Sequence, residues 1–406
     1  MKVYLIKASA RNLYSKYKKD TGGPPQNIFS TAAATPSWVD IEMTDETHDM
    51  KVNFKSKADI IAIFMSTPDA LRAYEIADIF KAKGKTIVMG GLHTNFMQDE
   101  AAQHANAIML GEVEEIWKKL LQDFQNNKLQ KVYKRETPLD LTDLKPYPTY
   151  IIHPSVYDYT WSVVVSRGCP HKCEFCLVPK FFDKYTLRPV ENIVAEIKHL
   201  KYLGVEWVEL HSDNLTVNRK YALELFKALA PLNMSLYGET TIKIAEDDEL
   251  LQAAADAGIK TLLFGLETIS KEALAGQGKE FVKPENIKAQ IAKIQSFGIQ
   301  AVSDFLFGFD EHDTQIFKET LDFVRKMKLD EVYPHLVIPF PGSDTFKRLE
   351  AEGRILTKDW SKYDGTHAVY QPTKMTPKEL EEGVYWFWMK QSNPIRNFFN
   401  YLFPKN

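Results

Sequence analysis

Cysteine is scarce in this chain of 406 residues: there are three, and all fall between positions 169 and 176. A disulfide-stapled secreted protein spreads an even set along its length, so that class is excluded. Crowded, reduced thiols point instead to metal and to a cytoplasmic setting. There is no run of about 18 apolar residues, so no membrane-spanning helix is expected. The apolar stretch at the start, Val3 to Ile6, is too short for a secretory signal. An excess of one charge is also missing. Lys and Arg number 51 against 54 Asp and Glu, a net charge of −3 that supplies no global basic field for nucleic acid. No internal repeat or low-complexity tract is evident.

What is present is an α/β rhythm long enough for two or three domains. Val3–Ile6, Ile60–Phe64 and Thr86–Met89 read as buried strands. Between the last two, residues 69–83 carry Leu71, Tyr74, Ile76, Ile79 and Phe80 on one helical face. A further helix is expected over 112–124. Residues 1–128 therefore read as a Rossmann-like domain with a parallel sheet. Pro138, Pro146, Pro148 and Pro154 mark 129–160 as a linker. From Trp161 the alternation resumes, with strands at 162–166, 205–210, 235–237, 261–264, 301–307 and 332–338. Helices near 190–203, 217–229, 247–257, 284–297 and 314–327 separate them. Asp247 or Asp248 can cap the third of these and Gly258 can end it. Six strands with intervening helices make 161–345 a partial (β/α)6 barrel, whose site is expected at the C-terminal strand ends. Residues 346–406 read as a helical extension. Thr376-Pro377-Lys378-Glu379 forms a capping box with proline in the first turn. Tyr385, Trp386, Phe387, Trp388, Phe398, Phe399, Tyr401 and Phe403 follow, near Arg396 and Lys405. Such residues suit a membrane interface, but consecutive aromatics also fit buried contacts, and a helix packed across the barrel mouth is the favoured expectation.

The three cysteines stand in Ser166-Arg167-Gly168-Cys169-Pro170-His171-Lys172-Cys173-Glu174-Phe175-Cys176, a C-x3-C-x2-C spacing just after the first barrel strand. Three thiolates can hold three irons of a four-iron cluster and leave the fourth open to a chelating substrate. The alternative is structural zinc, which wants four closed ligands; His171 could serve only by straining the loop.

The loop resembles that of radical S-adenosylmethionine (SAM) enzymes, whose pattern is C-x3-C-x-aromatic-C. The resemblance extends along the chain to the subfamily with an N-terminal cobalamin-binding-type domain. Its signatures are similar to Gly90-Gly91-Leu92-His93, Gly111-Glu112-Val113-Glu114, Arg188-Pro189-Val190-Glu191-Asn192, Asp213-Asn214, Gly265-Leu266-Glu267 and Pro339-Phe340-Pro341-Gly342. The resemblance implies a 4Fe–4S cluster on Cys169, Cys173 and Cys176, with Phe175 lining the adenine site. SAM would chelate the open iron and be cleaved by one electron to a 5′-deoxyadenosyl radical. That electron implies a donor such as flavodoxin or ferredoxin.

Other contacts to SAM are expected from Asp213 and Asn214, which could equally form an Asx turn or helix cap. Glu239 and Glu267, just past the third and fourth barrel strands, could meet ribose or methionine atoms or simply sit on a solvated rim. Gly308 would let backbone approach the adenine, or close a plain turn. In the first domain, Ser66, Thr67, Gly90, Gly91 and His93 are the candidate cobalamin contacts at the switch-point crevice. They could also be turn and cap residues of a vestigial domain. The D-x-H-x-x-G of methionine-synthase-type cobalamin domains is absent, since Ala8-Ser9-Ala10-Arg11-Asn12 stands in its place.

The leading functional expectation is therefore cobalamin-dependent methylation of an unactivated carbon on a small-molecule or lipid substrate. A radical SAM enzyme without cobalamin, forming a carbon–carbon bond, a ring or a rearranged product, is the alternative. A non-catalytic iron–sulfur or zinc module is the alternative of another class. The expected setting is cytoplasmic, with the aromatic tail as the one candidate for peripheral contact at the inner membrane face.

Overall fold

In the computed structural model, residues 1–10, 23–137 and 139–391 are described. Arg11, Asn12, Pro138, Arg396, Phe398, Phe399, Tyr401, Phe403 and Lys405 lie outside them.

Two parallel sheets organise the chain. The first contains β1 (Lys2–Lys7), β2 (Asp40–Asp45), β3 (Ile60–Phe64), β4 (Thr86–Gly90), β5 (Ala107–Leu110) and β6 (Val132–Lys134), in the order β2-β1-β3-β4-β5-β6. All five residues of β3, Ile-Ile-Ala-Ile-Phe, are buried. That is the pattern of a central strand covered by helices on both faces. The chain leaves β1 toward β2 on one side and returns to β3 on the other. The C-terminal ends of β1 and β3 thus flank a topological switch point, where such sheets place their ligands. β6 extends this sheet past residue 128, into the stretch read as linker. Its three residues are too few for a periodic signal and are held by pairing with β5.

The second sheet contains β7 (Thr160–Val164), followed later by β10 (Trp207–His211), β11 (Ser235–Thr240), β12 (Ile259–Glu267), β13 (Gln300–Phe307) and β14 (Glu331–Leu336). They pair in parallel in the order β14-β13-β12-β11-β10-β7, with no pairing between β14 and β7. This is the expected six-stranded open barrel. Asp247 caps the helix Asp248–Asp256 by accepting from the Leu250 N–H at 3.0 Å. Gly258 follows that helix at φ +93°, a conformation its missing Cβ permits.

Two very short strands, β8 (Ser166–Arg167) and β9 (Thr186–Leu187), pair antiparallel and close off the intervening loop. The extension holds the helix Asp344–Ala351, an antiparallel bridge between Ile355 and Tyr370, and the helix Pro377–Gln391. The capping box is formed: Thr376 N donates to Glu379 at 2.8 Å, and Glu379 N to Thr376 Oγ1 at 3.2 Å. Leu380, Val384 and Phe387 face inward from this helix. It lies along the barrel flank beside the edge strand β14, rather than across the mouth. Among the described residues no helix is long and apolar enough to cross a membrane.

Candidate active site between the two sheets

The cysteine loop hangs from the β8–β9 pair at the C-terminal end of β7. Gly168 turns into it at φ +84°; a Cβ there would lie 2.5 Å from the Lys184 carbonyl oxygen. Its N–H donates to Asp213 Oδ2 at 2.8 Å, tying the loop to the end of β10. The far side is clamped through Glu174. Its carbonyl accepts the Asp344 and Thr345 N–H groups at 3.1 and 3.2 Å, and its carboxylate accepts from Arg348 at 2.8 Å and Gln277 at 3.0 Å.

Cys173 is buried, and Cys169 and Cys176 are half-buried. Burial pushes all three thiols up, Cys176 to about 12. A thiolate set in such surroundings requires compensating positive charge, which thiolate-bound iron supplies. The donor set is three thiols in C-x3-C-x2-C spacing, with no fourth cysteine in the chain, which fits three irons of a cluster better than a closed four-ligand zinc site.

Cys176 and Phe175 face a cavity of about 610 Å³ between the two domains. Its first-domain wall is built from strand ends: Lys7 on β1, Gly91 and Leu92 after β4, and Gly111 to Glu114 after β5. Its barrel wall holds Arg167, Phe175, Cys176, His211 and Asp213, with Leu177, Val178, Phe181, Phe182 and Phe340 making it mostly apolar. Gly111, at φ +77°, has no atom within 4 Å of where a Cβ would stand, so its backbone is open to a flat ligand.

Arg167 joins the walls. Its guanidinium donates to Glu112 at 2.8 Å, Glu114 at 2.7 Å and Ser30 Oγ at 3.3 Å, and it is 4% exposed. Burial opposes ionisation of Glu114, but Arg167 outweighs it and holds that carboxyl below its usual range. The Gly-Glu-Val-Glu signature is thus the first domain's half of an ionic clasp on the cysteine loop.

Residues 163–324 match the family model of the radical SAM superfamily. The bacteriochlorophyllide d C-8(2)-methyltransferase of Chlorobaculum tepidum is 31% identical over 363 residues, covering 84% of this chain and 80% of that one. This chain belongs to the radical SAM superfamily. It is therefore an enzyme built around a 4Fe–4S cluster and SAM. The C-12(1)-methyltransferase of the same organism is 28% identical and covers 88% of this chain and 80% of its own. In architecture the chain matches the radical SAM methyltransferase TsrM from Kitasatospora setae, solved with cobalamin and a 4Fe–4S cluster. The TM-score is 0.73 at 14% identity, covering 86% of this chain and 78% of that one. It also matches the cobalamin-dependent radical SAM enzyme OxsB at TM-score 0.73 and 14% identity, covering 97% and 67%. The first domain thus has the cobalamin-binding-type fold.

Around this radical SAM loop the remaining candidates divide. Asp213 reaches the cavity; burial raises its carboxyl, with partial relief from His211 and the Gly168 N–H. Asn214 is buried and accepts from Thr240 Oγ1 at 3.3 Å. Glu239, next to last in β11, stands among His211, Glu209, Asp213 and Glu267. It is open to a water-sized molecule although protein surrounds it, and burial with the neighbouring carboxylates brings it to about 7. Glu267 adopts φ +62°, strained for a non-glycine residue, and pairs with Lys279. Gly265 makes room for that pair: a Cβ would lie 2.3 Å from Glu267 Oε1 and 2.7 Å from Lys279 Nζ. The Gly-Leu-Glu signature thus has a steric basis. Lys279 also stands 5.6 Å from the Phe175 ring centre. Gly308, at φ +105°, gives its carbonyl to Tyr370 Oη–H at 2.6 Å.

In the first domain, Gly91 lines the cavity. Gly90 is packed under Phe64, 2.9 Å from where its Cβ would stand. Ser66 bonds to Asp69, and Thr67 Oγ1 meets His93 Nδ1 at 3.3 Å. His93 is buried edge-on to Trp360 of the extension, and burial lowers it to about 4 despite Glu100, so its ring is neutral. Ser66, Thr67 and His93 are therefore engaged within the protein, and none of the three lines the cavity.

Sequence reasoning missed Lys7, Arg167, Lys279 and the Glu209–His211 pair. His211 Nδ1 is 2.9 Å from Glu209, whose other oxygen accepts from Ser162 Oγ at 2.5 Å. Burial opposes the charged ring, yet Glu209, Asp213 and Glu239 push it up to about 9. The His-Ser-Asp-Asn run was the available signal for His211; the lone lysines carried none.

Proposed function

We propose that this enzyme methylates an unactivated carbon of a small-molecule or lipid substrate, with cobalamin as the methyl carrier. The carrying observation is the cavity that sets Lys7, Gly91 and Gly111 of the first domain opposite Cys176. The named relatives support it, since both act as methyltransferases on a carbon of a tetrapyrrole. A 29% identical hopanoid C-2 methylase of Rhodopseudomonas palustris extends the substrate range to lipids, over 59% of this chain and 47% of its own.

When bound, the cluster and SAM supply a hydrogen-abstracting radical and cobalamin supplies the methyl group. The chain's own residues hold and orient. Cys169, Cys173 and Cys176 would carry the cluster. Phe175 would flank the adenine, and Asp213 offers an acceptor to an ammonium. Gly91 and Gly111 would let a flat macrocycle approach the backbone. Phe181, Phe182 and Phe340 exclude water from a reactive intermediate. A flavodoxin- or ferredoxin-type donor would deliver the electron.

The test is anaerobic reconstitution with iron, sulfide and hydroxocobalamin, followed by desalting and metal counting. One cobalt beside about four irons per chain supports the reading. Iron without cobalt overturns the cobalamin part and redirects the search to radical bond formation or rearrangement.

A further inference from the structure

The helix Lys271–Gly276 follows β12, and the three residues after it each meet the cysteine loop. Gln277 donates to the Glu174 carboxylate at 3.0 Å. Gly278 turns at φ +66°, where a Cβ would stand 3.6 Å from the Lys172 carbonyl oxygen. Lys279 brings its ammonium to 5.6 Å from the ring centre of Phe175, the residue before Cys176.

Lys279 is sheltered there. Its side chain is 12% exposed and that of its partner Glu267 is 9% exposed. The ammonium donates to the Gly265 carbonyl at 3.0 Å and pairs with the Glu267 carboxylate. Burial opposes the charge, but Glu267 outweighs burial and keeps the lysine ionised. The other cations around the loop act differently. Lys172, Lys184 and Lys243 are exposed, and water and salt screen them. Arg167 and Arg348 are each held between two carboxylates, Glu112 with Glu114 and Glu174 with Asp310. A sheltered charge acts through protein rather than through water, so its effect on a nearby electron acceptor is several times larger. Net charge and exposure are among the levers that set the potential of an iron–sulfur cluster.

We propose that Lys279 tunes the cluster: its ammonium, fixed against the cysteine loop by Gly265 and Glu267, stabilises the negative charge added on reduction and raises the reduction potential. One electron enters, and no bond forms or breaks. The inference rests on the three thiols carrying the cluster and is independent of cobalamin.

The test is a redox titration of the full-length, cluster-loaded protein without SAM or cobalamin. Titanium(III) citrate is the reductant, and the reduced cluster is read by electron paramagnetic resonance. Iron is counted first. Lys279→Met should make reduction about tenfold less favourable, a fall of about 60 mV for one electron. Glu267→Gln should raise the potential, because it leaves the ammonium and removes the opposing charge. The double variant should fall between the two. Lys243→Met should match wild type; that lysine is an exposed cation 5.1 Å from the ring of Phe281, which stacks on His171 of the same loop. An unchanged potential in Lys279→Met overturns the proposal. So do shifts of the same sign in both single variants, which would mean that the pair only holds the loop in shape. Should Lys279→Met carry no cluster, Glu267→Gln decides alone, and no rise overturns the proposal. Absence of iron in wild type overturns the cluster assignment and this inference with it, whereas normal iron with unchanged potentials overturns this inference alone.

Discussion

Arg167→Met would show how firmly the two domains are joined. Methionine keeps much of the stem's volume but removes the guanidinium from between Glu112 and Glu114. All three groups are sheltered: the side chains are 4%, 10% and 12% exposed. Removing one partner from a buried ion pair costs about 3–5 kcal/mol, because the remaining charge stays desolvated and unpaired. Here two sheltered carboxylates would lose the same cation. The cost falls on the interface, since Glu112, Glu114 and Ser30 belong to the first domain and Arg167 to the start of the cysteine loop. Amide protons that exchange by opening of this interface, in helix Gln26–Ala34 and at Ser166 to Gly168, should exchange roughly 10²- to 10⁴-fold faster. A calorimetric scan should separate into two transitions, as expected when domains uncouple. Arg167→Met with Glu112→Gln and Glu114→Gln removes charge and counter-charge together and should recover at least half of the loss. Unchanged exchange in Arg167→Met, or no recovery in the triple variant, would refute the view that the clasp is a desolvated ionic joint.

Three further outcomes are expected. Serine at Cys169, Cys173 or Cys176 should each drop reconstituted iron from about four to below one per chain and abolish SAM cleavage; retention of full iron would remove that thiol from the ligand set. Gly265→Ala should force apart the Glu267–Lys279 pair, destabilising by about 1–3 kcal/mol and weakening SAM about tenfold in equilibrium dialysis; normal affinity would detach the pair from the SAM site. Asp310 accepts from Arg348 at 2.7 Å, Arg354 at 2.5 Å and Thr373 at 2.6 Å, which overcome burial and hold its carboxyl at about 2. A depressed carboxylate stabilises above its unfolded value and loses that contribution as pH falls from about 4 through 2. Urea titrations of wild type and Asp310→Asn should therefore differ by at most about 2 kcal/mol at neutral pH, nearer 1 after solvent screening, and converge toward pH 2. A difference independent of pH would refute the ionic origin.

The sequence by itself determined the fold class, the barrel and the cluster loop. The six barrel strands and the five helices between them were legible because each is long enough to carry its own local pattern. The loop of Cys169, Cys173 and Cys176 could be placed just after the first barrel strand because its C-x3-C-x2-C spacing is local and stands apart from the strand and helix patterns around it. Short runs such as Gly111-Glu112-Val113-Glu114 could be matched to a family signature but not interpreted. Only the tertiary structure decided what they do. Arg167 and Glu114 are 53 positions apart, and a desolvated ion pair at that separation leaves no local pattern. The same holds for Lys279 against Phe175, and for Gly342, where a Cβ would strike Phe96 at 2.2 Å. β6 went unread because three residues are shorter than any period and owe their conformation to β5. His93, Ser66 and Thr67 looked like ligand contacts because they follow strand ends. Packing against Trp360 and Asp69 engages them inside the protein instead, because long-range contact, not strand position, sets which side chains of a crevice face its cavity.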